Sequence, residues 1–129
     1  MRPKQLSVLA LTRAERRRNA RDFEIRPSRI EGRGLFARRA MPAGGTLNYV
    51  GELLGKAPRG GKYTVVHGGM ENVFVVPPAR CRPYAAYANH DADGALHWVF
   101  GGDYPLLQLR RAVRAGEELC VDYGKGACV

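Results

Sequence analysis

A chain of 129 residues, 45% of them hydrophobic, is long enough for one domain with a single modest core. No apolar run approaches the roughly eighteen residues that a membrane-spanning helix needs, and Leu6 to Leu11, interrupted by Ser7 and followed by arginines, does not read as a secretory signal. The formal net charge is +9 and unevenly placed: residues 1–39 hold twelve Lys/Arg against four Asp/Glu, residues 40–129 nine against eight.

Sixteen glycines and eight prolines favour many turns and short strands over a helical bundle. Leu11 to Arg21 is the one convincing helix, with Thr12 as N-cap and Glu15 three residues later. Phe23-Glu24-Ile25-Arg26 alternates apolar and polar like a half-buried strand. Ser28 to Gly34 is a loop, and the strand pattern resumes at Leu35-Phe36-Ala37. After a turn at Met41 to Gly45, the β-formers from Thr46 to Leu54 predict one strand. Gly55 to Lys62, with Pro58, Gly60 and Gly61, is a flexible link. Tyr63–Val66 and Asn72–Val76 pair as a hairpin-like unit around His67-Gly68-Gly69, which Pro77-Pro78 ends. Leu96–Phe100 and Leu106–Leu109 form a second pair around Gly101-Gly102-Asp103, and Glu118–Val121 is a final short strand.

The helix carries Arg13, Arg16, Arg17, Arg18 and Arg21. Such a block reads as a nucleic-acid-facing patch or a nuclear import signal, or as a solvated helix face with no partner. Cys81, Cys120 and Cys128 make no complete disulfide framework and no paired C-x-x-C spacing, so reduced thiols in an intracellular setting are expected.

Four signatures follow one another: Gly32-Arg33-Gly34-Leu35-Phe36-Ala37, Tyr49-Val50-Gly51-Glu52, Tyr87-Ala88-Asn89-His90, and Gly116-Glu117-Glu118-Leu119-Cys120-Val121-Asp122-Tyr123-Gly124. The glycines of the first would let backbone approach a ligand closely. It is no dinucleotide fingerprint, because a third glycine and a following helix are missing. His90, Asp91, Asp93 and His97, within eight residues, could by themselves be a metal site.

Taken in order and spacing, from Glu24 to Gly124, these signatures resemble the SET domain of S-adenosylmethionine-dependent protein-lysine methyltransferases. The resemblance implies a mostly β fold of several small sheets around a pseudoknot-like threaded C-terminal segment. Residues 1–22 would be a basic N-terminal helical segment, and residues 23–129 the SET domain. It implies Tyr123 as the catalytic residue, its hydroxyl directed at the methyl group and the amine, with Tyr49 as the second tunnel tyrosine. Asn89 and His90 would bind the cofactor's adenine and methionine moieties, largely through backbone. Glu31 and Arg33, beside Gly32 and Gly34, would meet the methionine end, and Tyr63 falls where relatives often place a cofactor-contacting aromatic. Tyr49 and Tyr63 also read as ordinary strand aromatics. No metal enters this site.

The chain departs from the family run Arg-Phe-x-Asn-His-Ser-Cys, with Ala86, Asp91 and Ala92 at the arginine, serine and cysteine positions. Gln108 stands near where relatives carry the Phe or Tyr that governs methyl number. The Cys-rich zinc segment of many SET enzymes is not expected, and the short stretch between Gly51 and Asn89 resembles the minimal SET proteins of large DNA viruses. The expected activity is lysine N-methylation of a histone tail in the nucleus, the host's if the protein is viral. The arginine block would contact nucleosomal DNA rather than the basic tail. The rival expectations are a methyltransferase for a non-histone basic protein and a catalytically inactive SET-like module that binds chromatin or nucleic acid.

Overall fold

The computed structural model describes residues 12–49, 52–54, 63–66, 74–77, 82–100 and 105–123. One helix, α1 (Arg13–Asp22), precedes β1 (Phe23–Pro27), β2 (Arg33–Ala37), β3 (Thr46–Asn48), β4 (Glu52–Leu54), β5 (Val65–Val66) and β6 (Phe74–Val76). A 3-10 turn at Tyr84–Tyr87 leads to β7 (Leu96–Val99) and β8 (Leu106–Leu109). Among the described residues, the strands form three small antiparallel sheets, β1-β2, β3-β8-β7 and β4-β6-β5. This is the mostly β architecture expected of the sequence.

The start of α1 follows its local sequence. Thr12 Oγ1 accepts the Glu15 N–H at 3.0 Å and the Glu15 carboxylate accepts the Thr12 N–H at 3.2 Å, so two orphan donors of the first turn are satisfied. Leu11 lies outside the described residues. The helix has no apolar face, since the residues it buries are Asn19 and Asp22. Polar bonds therefore hold it to the body. The Asp22 carboxylate accepts Arg21 Nε at 2.8 Å and Arg39 Nε at 2.7 Å, its carbonyl accepts the Arg38 N–H at 2.8 Å, and Glu15 also accepts Asn48 Nδ2 of β3 at 3.0 Å.

Burial alone would raise the Asp22 pKa, but the bonds from Arg21 and Arg39 outweigh it and hold the carboxyl below its ordinary value. A group depressed in this way contributes its full stability above the ordinary Asp value of about 3.9 and loses it as pH falls through the lower folded value. Asp22→Asn should accordingly cost about 1 kcal/mol at neutral pH, discounted because both arginines stand largely in solvent. Urea midpoints of the variant and the parent should converge as pH falls below about 3.9. A gap independent of pH would refute the ion-pair account.

The strands alternate as half-buried strands do. On β3, Leu47 is buried and Thr46 is exposed; on β8, Leu107 and Leu109 are buried, with Leu106 and Gln108 between them half-buried. Leu35, Leu47, Tyr49, Val65, Val75, Leu96, Leu107, Leu109, Leu119 and Val121 belong to one core, so all three sheets bury into the same interior.

The expected hairpin partners pair: Val65 opposite Val75 in the first, and Leu96 opposite Leu109 in the second. Residues 55–62, expected as a link, lie outside the described residues, as do the expected turns 67–69 and 101–103 and the first two residues, Asn72 and Val73, of the expected Asn72–Val76 strand.

Two expected strands are altered. Thr46–Leu54 is not one strand, because β3 pairs with β8 while β4 pairs with β6 in another sheet. The break has a long-range cause. Tyr49 N–H donates to Pro105 O at 2.9 Å, but proline has no N–H to return, so the β3–β8 ladder ends there. Read as a stretch rich in β-formers, Thr46–Leu54 does not show which strand each half takes as its partner.

Glu118–Val121 likewise forms single bridges, Phe36 to Glu118 and Val121 to both His90 and Leu96, instead of a strand. On one side, Leu119 N–H donates to Leu35 O at 2.7 Å and Ala37 N–H to Glu117 O at 3.0 Å. On the other, Val121 N–H donates to Asn89 O at 3.0 Å and Leu96 N–H to Cys120 O at 3.0 Å. The backbone is satisfied, yet it changes neighbour too quickly for a ladder. This segment thereby joins β2 to the Asn89-His90 loop. The Cys120 thiol, buried within it, is pushed up to about 12 by burial and by the nearby Glu118 and Asp91 carboxylates, which makes it a poor nucleophile. Cys81 and Cys128 lie outside the described residues, among which no helix is long and apolar enough to cross a membrane.

Candidate active site

Where the β1–β2 loop, the 3-10 turn and the C-terminal segment meet, a cavity of about 550 Å³ opens, within the range typical of small-molecule sites. The loop contributes Glu31, Gly32 and Arg33, and Asn89 and Tyr123 come from the two later signatures. Tyr63, Arg82, Ala86 and Tyr87 complete the lining. Both charge signs are therefore present beside three aromatic rings. Gly32 adopts φ +46°, and a Cβ there would meet nothing within 4 Å. Its glycine serves the backbone bend and leaves room on the cavity side.

A much narrower cavity of about 10 Å³, close to the room of one water, is walled by Tyr49, Tyr63, Trp98, Val121, Tyr123 and three alanines. It shares Tyr63, Ala86 and Tyr123 with the large cavity. It shares Trp98 and Val121 with a third cavity of about 260 Å³, to which His97, Arg110 and Asp122 also contribute. The narrow space thus stands between two wider ones.

Its tyrosines are fixed at both ends. Tyr49, buried, donates its O–H to Tyr63 O at 2.6 Å and meets Trp98 edge-on with ring centroids 5.5 Å apart. Tyr123 donates its O–H to Ala88 O at 2.9 Å, while its N–H donates to His90 Nδ1 at 3.0 Å. A hydroxyl that gives its proton to a carbonyl acts toward a third group as an acceptor. Acceptance by Nδ1 places the proton of neutral His90 on Nε2. The Tyr63 ring lies 4.0 Å from the Arg82 guanidinium, in cation–π geometry.

Of the residues singled out by sequence, Glu31, Gly32, Arg33, Tyr63, Asn89 and Tyr123 converge on the large cavity, and Tyr49 joins Tyr63 and Tyr123 at the narrow one. Gly34 and His90 do not line the large cavity. Gly34 is packed under it, where a Cβ would collide with the Glu118 carboxylate. His90 is exposed and serves as a backbone anchor for Tyr123. The Asn89 side chain is turned toward protein: Nδ2 donates to Glu31 O at 3.0 Å and Glu118 Oε2 at 3.1 Å, with Arg33 O at 3.4 Å.

Sequence reasoning missed Arg82, Tyr87 and Trp98. Tyr87 adjoins the Asn-His pair and could have been suspected; Arg82 and Trp98 carry no local signal. The Trp98 indole N–H is buried beside the narrow cavity with no hydrogen-bond partner among the described residues.

The metal reading of the His90–His97 cluster finds no geometry. His97 Nε2 bonds Gln108 Oε1 at 3.0 Å across β7–β8, His90 holds Tyr123, and no metal-holding group of His, Cys, Asp and Glu occurs among the described residues. Gln108 also donates to Gly44 O at 3.3 Å and lines none of the three cavities.

With this geometry in place, the comparisons are informative. The SET domain model matches residues 32–124. The chain belongs to the SET domain family, whose members are generally protein-lysine methyltransferases that use S-adenosylmethionine. Among solved structures, a humanized mutant of the Chaetomium thermophilum Polycomb Repressive Complex 2, bound to the inhibitor GSK126, is similar at TM-score 0.64 and 21% identity. The match covers 81% of this chain and 15% of that one, so it speaks to the fold of one part of a much longer protein. Curated protein sequences give no match.

Proposed function

We propose that the protein is an S-adenosylmethionine-dependent protein-lysine N-methyltransferase acting on a histone tail in chromatin. The observation that carries this reading is the narrow, tyrosine-walled space between two wider cavities, with Tyr123 on the wall of both the narrow and the large one. The large cavity suits the cofactor in volume and in chemistry: Glu31 can pair with an amino group, Arg33 and Arg82 with a carboxylate, and tyrosine rings can face a sulfonium or a base. When bound, the cofactor supplies an electrophilic methyl group on sulfur.

The chain's own contribution is positioning. A dry aromatic channel lowers the pKa of an entering ammonium and so favours the neutral, nucleophilic amine. The Tyr123 oxygen, committed as a donor to Ala88 O, accepts from that amine and orients its lone pair. We also read the two-sided bonding of residues 117–121 as the threaded C-terminal segment of the family. The short Gly51–Asn89 stretch supports the likeness to minimal viral SET proteins, and the arginine block supports a nuclear location.

Chromatin enters through α1. Arg13, Arg16, Arg17 and Arg18 are exposed on it, and Arg21, also exposed, is engaged with Asp22, so Arg21 is a member of the block Arg13, Arg16, Arg17, Arg18 and Arg21 whose charge is already paired. Phosphate neutralisation by such a patch is steeply salt-dependent. With labelled cofactor, nucleosomes and free tail peptides should both be methylated on lysine. Replacing Arg13, Arg17 and Arg18 with Ala should reduce nucleosome methylation about tenfold at low salt, with the peptide rate unchanged. Absence of label on any substrate, with the cofactor bound, would favour the inactive binding module. Equal loss on both substrates would remove the DNA role.

A further inference from the structure

Under the large cavity, three segments distant in sequence meet on one carboxylate. Ser28 Oγ donates to Glu118, 2.9 Å from Oε1 and 2.8 Å from Oε2, and Asn89 Nδ2 donates to Oε2 at 3.1 Å. Ser28 and Asn89 in turn shape the loop that lines the cavity. Ser28 N–H donates to Gly32 O at 2.8 Å, Ser28 Oγ accepts the Ile30 N–H at 2.9 Å, and Asn89 Nδ2 donates to Glu31 O at 3.0 Å. Gly34 makes the approach possible, since a Cβ there would overlap Glu118 Oε2 and lie 3.1 Å from Ser28 Cβ. Glu118 itself lines none of the cavities.

We propose that Glu118 is the positioning residue of the cofactor loop, acting through Ser28 and Asn89 to hold residues 28–33 in the shape that presents Glu31, Gly32 and Arg33 to the cavity. The chemistry requires a carboxylate. It is acceptor-only, so one group can take every donor aimed at it, whereas an amide of the same shape would set its own N–H₂ against Ser28 Oγ or Asn89 Nδ2. The inference rests on reading the large cavity as the cofactor site, and it reaches beyond that reading by naming a residue that never touches the cofactor.

Two measurements test it. In the free protein, hydrogen exchange at the Ile30 amide should be about tenfold faster in Glu118→Gln, because the Ser28 hydroxyl that protects it loses its anchor. By calorimetry, S-adenosylhomocysteine should bind Glu118→Gln about tenfold more weakly and Ser28→Ala a few-fold more weakly, with the double variant no worse than Glu118→Gln alone. At saturating cofactor, kcat should fall less than about threefold, since Tyr123 is untouched. Ser28→Ala keeps the test decisive if Glu118→Gln does not fold. If the unaltered protein binds S-adenosylhomocysteine and Ser28→Ala binds it equally well, the positioning role is overturned. A lowered melting temperature with unchanged affinity and exchange would overturn it too. If the unaltered protein binds no S-adenosylhomocysteine, the cofactor reading of the cavity fails instead, and the exchange measurement alone decides what Glu118 does for the loop.

Discussion

Tyr123→Phe should lower kcat by about 10²-fold, the usual scale for one positioned hydrogen-bonding group in a water-excluding site. The phenyl ring retains the cavity wall and its contact with His90, whose ring centroid lies 5.2 Å away. What is lost is the hydroxyl proposed to aim the amine, and with it the bond to Ala88 O. Removing that bond leaves a buried carbonyl unsatisfied at a cost of about 1 kcal/mol, too little to unfold a domain. S-adenosylmethionine affinity, measured by calorimetry, should therefore stay within about threefold of the parent. Near-normal turnover in the variant would take Tyr123 out of the chemistry, whatever its place on the channel wall.

Asn89→Ala should do the reverse. Its amide reaches the Glu31 and Arg33 carbonyls and the Glu118 carboxylate, so its removal unties the cavity loop from the Asn89-His90 segment. With a lost polar contact of this kind costing about 1–3 kcal/mol, cofactor affinity should fall by about an order of magnitude. Thermal stability should fall in parallel. The effect should appear in the cofactor dissociation constant before it appears in kcat at saturation, which isothermal titration and initial rates separate. Normal cofactor binding by a folded Asn89→Ala protein would place the cofactor elsewhere. The same titration with zinc should give no stoichiometric uptake, since His90 and His97 have separate engagements.

These two variants show how differently two motif residues act. By sequence, Tyr123 and Asn89 stand alike as members of signatures. In the fold, Tyr123 lines both the large and the narrow cavity, while the Asn89 side chain bonds the backbone carbonyls of the loop beside the large one. His90, its neighbour, reaches the site only by accepting the Tyr123 N–H.

Much of the chain was legible as sequence because its causes are local. The Thr12–Glu15 capping box needs only four consecutive residues, and it formed. The strand pairs β5–β6 and β7–β8 join segments of β-formers that neighbour each other along the chain. The ordered signatures point to the family, and residues from three of them line the large cavity while Tyr49 joins Tyr123 at the narrow one.

What only the tertiary structure decided depends on partners far apart in the chain. Thr46–Leu54 divides between two sheets because Pro105, more than fifty residues on, cannot return a hydrogen bond to Tyr49. Glu118–Val121 is no strand because its two sides face different segments. Arg21 is tied to Asp22, which Arg39 also holds, so part of the basic block is paired within the chain while remaining exposed. Glu118 gains its importance from Ser28, ninety residues away, and Trp98 from meeting Tyr49 across β3, β8 and β7. Periodicity, capping and motif order are set by neighbours along the chain, so the sequence determined them alone. Which carboxylate faces which donor across a shared core is set by long-range contact, and no local pattern encodes it.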